Sequence, residues 1–292
     1  MKEQNQNLDP LRQEQSRFHG FQKTHHKSSL NYKGQKLEYY SCGNGPRTIL
    51  IPPHISSLFP TEMGYRHILD FESSFRVIAP SLIEAGDLDE IAESLLLVLE
   101  QERIDEVILF GGSGSGITAQ AFFYRYHPYV RGMILTNTVA PGKGGTRTPM
   151  TILLRLLPAA LLKSVLKKRL SKPLDVVNVP QDLIPRLELT RFLLDESFDT
   201  RFSKRKLMLE LNNVLRFNDE GTIEPEALRD WEGRILIITS EDDAGYNGSK
   251  LLSQRLPNSA LYVLEKGYGH LAPAVKSQEM REAIDDFISS LD

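Results

Sequence analysis

The chain has 292 residues, of which 40% are hydrophobic and 25% are charged, and its formal net charge is −3. This composition is typical of a globular protein with a sizeable core, and the slight acidic excess argues against nucleic acid as a general partner. Cys42 is the only cysteine, so no disulfide can form within the chain, which is typical of a reducing compartment. No apolar segment has the length of a membrane span or the pattern of a secretory signal, and we predict a cytoplasmic protein.

The first 27 residues are polar and rich in glutamine. Such segments bury too little apolar surface to offset the entropy lost on ordering. We therefore predict a flexible N-terminal tail over residues 1–27. Its histidines, His19, His25 and His26, are expected to be solvated rather than bound to a metal.

Short apolar segments alternate with helical patterns from residue 28 onward. Strands are predicted at Leu37–Ser41, Thr48–Ile51, Arg76–Ala79, Glu106–Phe110, Gly132–Leu135, Arg234–Thr239 and Ala260–Leu264. Helices are predicted at Asp87–Glu102, Thr118–Tyr126 and Ser277–Leu291. Nearly continuous apolar strands are typical of a sheet covered by helices on both faces. The alternation predicts an α/β fold with a mostly parallel, doubly wound sheet, and the strands before Ile51 are expected to form an antiparallel hairpin at its edge.

One long segment, residues 140–231, carries helical patterns and no convincing strand. A segment of this length is too long for an unstructured loop in a compact domain. We predict a helical cap over residues 140–231, inserted into a core formed by residues 28–139 and 232–292.

The strand at residues 107–110 leads into the glycine-rich sequence GGSGSG, residues 111–116, and then into a helix. Small residues allow a sharp turn that raises the Ser113 hydroxyl above the sheet, next to a helix N-terminus, and this predicts a nucleophile. A phosphate-binding turn is the alternative, but the glycine spacing does not fit a dinucleotide site and a P-loop lysine is missing. A purely structural turn is a further alternative. Ser115 is the rival nucleophile, although Ser113 has the better register after the strand.

Two more polar groups follow predicted strands. Asp243 comes just after the strand that begins at Arg234, and His270 lies in a glycine-flanked loop after the last strand. Each residue alone is weak evidence, because acids and histidines are common in turns, and Asp242 is the alternative acid. The order Ser113, Asp243, His270 is nevertheless that of α/β-hydrolases, and all three residues follow carboxyl ends of strands, where open α/β sheets build their sites.

From about Tyr32 to its end, the chain resembles the α/β-hydrolase superfamily in the segments TILIPP, RVIAPS, LFGGSGSG, ILIITSEDD and GYGHLAP. The resemblance implies a Ser-His-Asp triad of Ser113, His270 and Asp243, a helical cap between the sixth and seventh core strands, and neither a cofactor nor a metal. Within the superfamily, the Pro-Pro pair and the cap layout are similar to those of maspardin-like proteins.

Two segments depart from the family pattern. Pro52 and Pro53 replace the usual His-Gly of the oxyanion loop, and proline has no N–H to donate. The backbone N–H groups of His54 and Gly114 are therefore our candidates for the oxyanion hole, with Ile55 in reserve. The second departure is the sequence PSLIE, residues 80–84, which replaces a glycine-bearing loop and predicts a different entrance on that side.

The predicted cap begins with a basic stretch that no acid interrupts: Lys143, Arg147, Arg155, Lys163, Lys167, Lys168, Arg169 and Lys172. A solvated face is one interpretation; others are recognition of an anionic handle on the substrate or contact with an anionic membrane. The leucine-rich side of this segment is expected to line an apolar acyl pocket.

These observations predict a serine hydrolase that cleaves a small carboxylic ester or thioester through an acyl-enzyme. The same triad could serve a C–C bond hydrolase or an acyltransferase, and a non-catalytic binding protein with this fold is the alternative of a different class. The sequence gives no prediction of the oligomeric state.

Overall fold

The computed structural model describes residues 9–142, 154–175, 179–220, 228, 230–256 and 258–291. Among these residues, eight strands form one sheet in the order β1-β2-β4-β3-β5-β6-β7-β8. The strands are β1 (Lys27–Tyr32), β2 (Gln35–Cys42), β3 (Thr48–Leu50), β4 (Arg76–Pro80), β5 (Val107–Gly112), β6 (Val130–Thr136), β7 (Arg234–Ser240) and β8 (Ser259–Leu264). β2 pairs antiparallel with β1 and β4, and all other neighbours are parallel. The predicted α/β fold with a mostly parallel sheet is confirmed.

Helices follow most of the strands. The helices of the described residues are α1 (Pro10–Thr24), α2 (Tyr65–Glu72), α3 (Leu88–Gln101), α4 (Ser113–Tyr126), α5 (Ala159–Ser171), α6 (Ile184–Thr200), α7 (Lys204–Glu220), α8 (Tyr246–Arg255), α9 (Ala272–Val275) and α10 (Ser277–Ser289). In this part of the chain, no helix combines the length and the apolarity that crossing a bilayer requires.

The core lies on both faces of the sheet. Along β5, Leu109 belongs to one hydrophobic cluster, while Ile108 and Phe110 belong to the cluster on the opposite face. Alternate side chains of a strand point to opposite faces, so a strand with helices on both sides must be apolar at every position. This explains the continuous apolar runs in the sequence.

The register of the sheet brings the carboxyl ends of four strands to one edge. Gly112 at the end of β5 pairs with Thr136 of β6, and Thr136 pairs with Ile238 of β7. Ser240, at the end of β7, pairs with Leu264 of β8. The loops that follow these strands therefore start side by side, which is where open α/β sheets bind ligands.

The predicted flexible tail is wrong for Pro10–Thr24, which form α1. The Asp9 side chain caps this helix by accepting from the Leu11 N–H at 3.2 Å, and Phe18 and Phe21 are buried. The prediction of a tail, which was based on composition, overlooked two features. These are the Asp-Pro pair at the start of the helix and the two phenylalanines three residues apart. His25 is also not solvated, since its Nε2 lies 2.8 Å from Glu72 Oε2; His19 and His26 are exposed as expected.

The described residues between β6 and β7 are mainly helical, in α5, α6 and α7, and include no strand. It packs on the core through a small cluster in which Leu194 and Phe198 of α6 contact Leu58. Ion pairs from Lys163 to Asp199 (2.9 Å) and from Lys167 to Asp195 (3.0 Å) join α5 to α6. Lys143 and Arg147 of the basic stretch lie outside the described residues, and the limits of the cap stay a prediction.

Candidate active site

Ser113 occupies a strained turn between β5 and α4. Its φ is 51°, in the left-handed region that residues other than glycine rarely adopt. A Cβ on Gly111 would lie 2.8 Å from the Ser115 carbonyl oxygen and 2.9 Å from the Ala119 Cβ, so only glycine fits beneath the turn. Strained non-glycine residues of this kind cluster at functional sites, where surrounding contacts hold them in place.

The structure brings Ser113, His270 and Asp243 into one hydrogen-bonded chain. His270 Nε2 lies 3.1 Å from Ser113 Oγ, and His270 Nδ1 lies 2.7 Å from Asp243 Oδ2. Because an ionised carboxylate can only accept, Nδ1 is assigned the ring proton and Nε2 is left to accept from the serine hydroxyl. Asp243 is only 6% exposed, and its Oδ1 accepts from the Gly245 N–H at 2.7 Å, which fixes the carboxylate.

Asp242, the alternative acid, has a different task. Its Oδ2 accepts from the backbone N–H groups of Gly267 (2.8 Å) and Gly269 (3.1 Å), in the loop that carries His270. Burial alone would raise the pKa of Asp242, but hydrogen bonds from Ser240 and these amides hold it below its ordinary value. Asp242 therefore shapes the histidine loop, and Asp243 is the residue that contacts the imidazole.

Ser115, the rival nucleophile, is occupied by the turn itself. Its Oγ donates to the Gly112 carbonyl oxygen at 2.8 Å and accepts from the Gly112 N–H at 2.9 Å. This capping of the first turn of α4 leaves the Ser113 hydroxyl as the one that faces the histidine.

Two residues after β6 hold the site together, and the sequence reasoning missed both. Asn137 donates from Nδ2 to the His270 carbonyl oxygen at 3.0 Å, and Thr138 donates from Oγ1 to the Ser113 carbonyl oxygen at 2.9 Å. Asn137 also adopts a positive φ of 42°. Both could have been identified by their position directly after a buried strand, as Asp243 was.

The loop that follows β3 carries the candidate oxyanion donors. Thr118 of α4 donates to the Pro53 carbonyl oxygen at 2.6 Å, and Ile55 N–H points to the Gly114 carbonyl oxygen at 3.4 Å. Ile55, the reserve candidate, is therefore directed away from a substrate. Among the hydrogen bonds of the described residues, none uses the N–H of His54, and the N–H of Gly114 belongs to the first turn of α4, where helix donors have no partner within the helix.

The imidazole of His54 packs directly on Gly114. A Cβ on Gly114 would lie 2.2 Å from His54 Nε2, so the ring needs a glycine there. Burial and, to a smaller extent, the nearby His270 lower the pKa of His54 to about 4. His54 Nδ1 accepts from the Ser56 N–H at 3.0 Å, so the neutral ring carries its proton on Nε2.

Glu210 of α7 ties the helical segment to the same loop. It is buried and accepts from Ser56 Oγ and from the Ser57 N–H, both at 2.8 Å. A buried carboxylate that accepts two such bonds fixes the loop backbone just after His54. Nothing in the sequence near Glu210 indicated this contact, which joins residues more than a hundred positions apart.

Ser113 and His270 open into a cavity of about 290 Å³. Its walls are largely apolar and include Phe59, Met63 and Phe110, with Arg186 of α6 as the contribution of the helical segment. None of the described residues of the basic stretch, 154–172, lines it, so the expectation that its leucine-rich side forms an acyl pocket is not met for these residues; residues 143–153 lie outside the described part of the chain. A larger cavity of about 500 Å³, next to Lys27 and Lys206, contains no triad residue.

One group of potential metal ligands lies away from this cavity. Among the described residues, donor atoms of His25, Cys42 and Glu72 lie within 4.8 Å of one another. The hydrogen bond between His25 and Glu72 accounts for two of them, and burial together with the charge of Glu72 raises the pKa of the Cys42 thiol to about 12. A protonated thiol is a poor ligand, and we assign the group a structural role. The absence of a metal and of a cofactor from the function stays a prediction.

Comparisons with known proteins support the fold. Human maspardin is 26% identical over 234 residues, which are 76% of this chain and 70% of the maspardin. The 2-hydroxy-6-oxo-6-phenylhexa-2,4-dienoate hydrolase of Rhodococcus is 17% identical with a TM-score of 0.71, over 91% of this chain and 99% of that one. A thermophilic esterase of Thermogutta terrifontis is 17% identical with a TM-score of 0.65, over 92% and 99% of the two chains. No protein-family model matches the sequence.

Structural similarity of this extent shows the α/β-hydrolase fold, and the resemblance to this superfamily and to maspardin is confirmed. At such low identity the reaction of a neighbour does not carry over, because one fold hosts many functions. The chemistry must be argued from the site itself.

Proposed function

We propose that this chain is a serine hydrolase that cleaves a small carboxylic ester or thioester through an acyl-enzyme on Ser113. The observation that carries the proposal is the hydrogen-bonded chain from Ser113 through His270 to the buried Asp243, at the wall of one cavity. The hydrolase and the esterase named above have the same fold, which is consistent with this chemistry.

In the first half of the reaction, Ser113 Oγ attacks the carbonyl carbon while His270 Nε2 takes the hydroxyl proton. Asp243 holds the imidazole in the correct tautomer and stabilises the positive charge that forms on it. The tetrahedral intermediate collapses when its bond to the leaving oxygen or sulfur breaks, and His270 returns the proton to that atom. The product of this half is an acyl group bound to Ser113 Oγ.

In the second half, His270 takes a proton from water while the water oxygen attacks the acyl carbon. The bond from this carbon to Ser113 Oγ then breaks, His270 returns the proton to Ser113 Oγ, and the carboxylic acid is released. Both tetrahedral intermediates carry a negative oxygen that needs preset donors, each worth about 3 kcal/mol in comparable enzymes. The N–H groups of Gly114 and His54 are assigned this role. Their freedom from other hydrogen bonds among the described residues supports the assignment.

The size of the cavity limits the substrate. At about 290 Å³ it is at the small end of ligand sites, which commonly span about 300–1,000 Å³. We expect short acyl chains to react faster than long ones, because a long chain must leave the cavity or displace its walls.

The test is a series of para-nitrophenyl esters and CoA thioesters, from acetyl to decanoyl, assayed with the wild type, Ser113→Ala and Ser115→Ala. The proposal expects turnover of the short acyl groups by the wild type and by Ser115→Ala, and none above background by Ser113→Ala. A folded wild type that turns over no member of the series would favour a non-catalytic binding protein. Turnover that survives Ser113→Ala would refute the assigned nucleophile.

A further inference from the structure

The cavity at Ser113 contains one permanent charge. Of the described residues that line it, Arg186 is the only arginine, and none is a lysine, an aspartate or a glutamate. The remaining polar side chains, such as Asn137 and Thr136, are neutral. His54 and His67 are neutral as well near pH 7, since the pKa of each is lowered to about 4, first by burial. Arg186 is therefore the one permanently charged side chain among the described residues of the cavity wall.

Among the described residues, the guanidinium of Arg186 makes neither a hydrogen bond nor an ion pair. The carboxylates of Asp70 and Glu14 act on it only from beyond ion-pair distance. The two arginines nearby differ from it: Arg66 is paired with Glu14, and Arg281 lies 3.1 Å from Asp70. Burial lowers the pKa of Arg186 from its usual value, and the charge of Arg66 adds to this, against the smaller opposing effect of Asp70 and Glu14. An unpaired, half-buried cation costs free energy, which a bound anion would recover.

The helix that carries Arg186 is held firmly in place. Leu189, almost one turn later on α6, is buried in the same hydrophobic cluster as Phe18 and Phe21 of α1. α1 in turn packs along α6 and is joined to α2 by the contacts of Glu14 with Tyr65 and Arg66. The position of Arg186 is thus set by core packing rather than by its own side-chain contacts.

We propose that Arg186 binds a carboxylate of the substrate, so that the preferred ester or thioester carries an anionic group on the part held in the cavity. This inference rests on the proposed function and names the substrate class for the same site. The planar guanidinium presents two parallel N–H groups that match a carboxylate, and one cation balances one monoanion. Ser113 and Arg186 line one small cavity, so the reacting carbonyl and the carboxylate are separated by a short chain, as in a half-ester of a short dicarboxylic acid.

The first experiment compares para-nitrophenyl hemiglutarate with para-nitrophenyl valerate, which have acyl chains of equal length and differ in the terminal carboxylate. The measured quantity is the ratio of kcat/KM for the anionic ester to that for the neutral one. We expect the wild type to favour the anionic ester, and Arg186→Gln to lower the ratio by at least about tenfold. Arg186→Lys should restore part of it. Arg191→Gln is the matched control, because Arg191 lies on the same helix but pairs with Asp175 outside the cavity.

The second experiment does not depend on turnover. Glutarate binding to Ser113→Ala protein is measured by calorimetry, with and without Arg186→Gln. Binding that weakens by about tenfold or more without Arg186 supports the anion site, even if neither ester is hydrolysed, in which case the hydrolase proposal alone fails. Glutarate binding that depends on Arg186, without a preference for the anionic ester, would keep the anion site but refute a half-ester with the carboxylate on its acyl chain as the substrate. If Arg186→Gln changes neither the ester ratio nor glutarate binding, the anion site is refuted while the hydrolase can stand.

Discussion

In the proposed mechanism Asp243 acts on Ser113 only through the imidazole between them, so its contribution is one of orientation and charge. In Asp243→Asn the side-chain amide can donate to His270 Nδ1, which then places the ring proton on Nε2 and blocks acceptance from the serine. We expect kcat to fall by about four orders of magnitude in Asp243→Asn, as in other triads, with KM little changed. Steady-state kinetics on the best short-chain ester measures this.

Asp242→Asn is the control for that change, because Asp242 holds the histidine loop without contacting the ring. It should lose far less activity than Asp243→Asn. Equal losses in the two variants would contradict the assignment of the acid.

The close contact between Gly114 and the His54 ring allows a test of whether the position of the oxyanion loop matters for turnover. A methyl group in Gly114→Ala would meet the His54 ring at 2.2 Å and push the loop away. We expect about a hundredfold loss of kcat, which is the effect of one lost oxyanion donor. His54→Ala keeps its backbone N–H and should lose less.

The double variant His54→Ala/Gly114→Ala removes the clash and should recover activity relative to Gly114→Ala alone, as measured by kcat on the same ester. Such recovery is a coupling between neighbouring residues, which a double-mutant cycle detects. Additive losses would mean that the ring and the glycine do not set the loop position together.

The sequence predicted those residues of the candidate site whose type and position follow a rule. Ser113, Asp243 and His270 each follow a strand end in a recognisable order. Glu210 and Arg186 follow no such rule, because a single acid or arginine on a helix is ordinary until the fold places it against a loop or a cavity. Their roles depend on long-range packing, which local patterns do not encode.

Among the elements, α7 and the loop after β3 are coupled through Glu210. Glu210→Gln preserves the shape but removes the charge, so the two bonds to an ionised carboxylate are replaced by neutral ones, in which Ser56 Oγ must accept instead of donate. The loss of a hydrogen bond to a charged group, about 1.5 kcal/mol, should lower kcat/KM by about tenfold through misplacement of the His54 N–H. Glu188→Gln, at an exposed position on α6, is the control and should leave kinetics unchanged. Wild-type kinetics in Glu210→Gln would show that the loop is fixed by its other contacts.

α1 stabilises the fold rather than forming a tail. Phe21 is 2% exposed and packs between Tyr40 and Tyr65, at centroid distances of 5.2 and 5.7 Å. Phe21→Ala should lower the free energy of unfolding by about 3–5 kcal/mol, because it leaves a cavity in the core. Urea unfolding of Phe21→Ala, compared with that of the control Lys23→Ala at an exposed position of α1, measures this loss of stability. Equal unfolding midpoints would mean that α1 contributes nothing to the stability of the core.

The sequence predicted best those strands and helices whose burial is evident from an apolar local composition. β5 and β7 each contain an uninterrupted run of four large apolar residues, and their positions were predicted within a few residues. β1, with the sequence KSSLNY, was missed because it pairs at the sheet edge, where backbone hydrogen bonds need no apolar side chains. α1 was missed because its few apolar residues are diluted by polar ones, although they lie on one face.

For the whole molecule, buried histidines make stability depend on pH. The pKa of His67 is lowered to about 4, first by burial and then by the charges of Arg186 and Arg281. Its unfolded pKa is about 6.5, so the unfolded chain binds more protons between these values. Stability should therefore be fully present above about pH 6.5 and should be lost progressively as the pH falls toward 4.

His67→Gln removes this titration. The plot of the free energy of unfolding against pH should become shallower by about one proton in its steepest part, near pH 5. Urea unfolding of the variant and of the wild type between pH 4.5 and pH 7 gives the two slopes. Identical slopes would show that His67 is protonated in the folded protein as readily as in the unfolded chain.

The proposed mechanism requires one activated serine, Ser113, that is exposed to the cavity. A fluorophosphonate probe reacts covalently with such a serine, and mass spectrometry of the digested protein locates the adduct. We predict one adduct, on Ser113, that persists in Ser115→Ala, is strongly reduced in His270→Ala and is absent in Ser113→Ala. A folded wild type without an adduct, or with one on another residue, would refute Ser113 as the nucleophile.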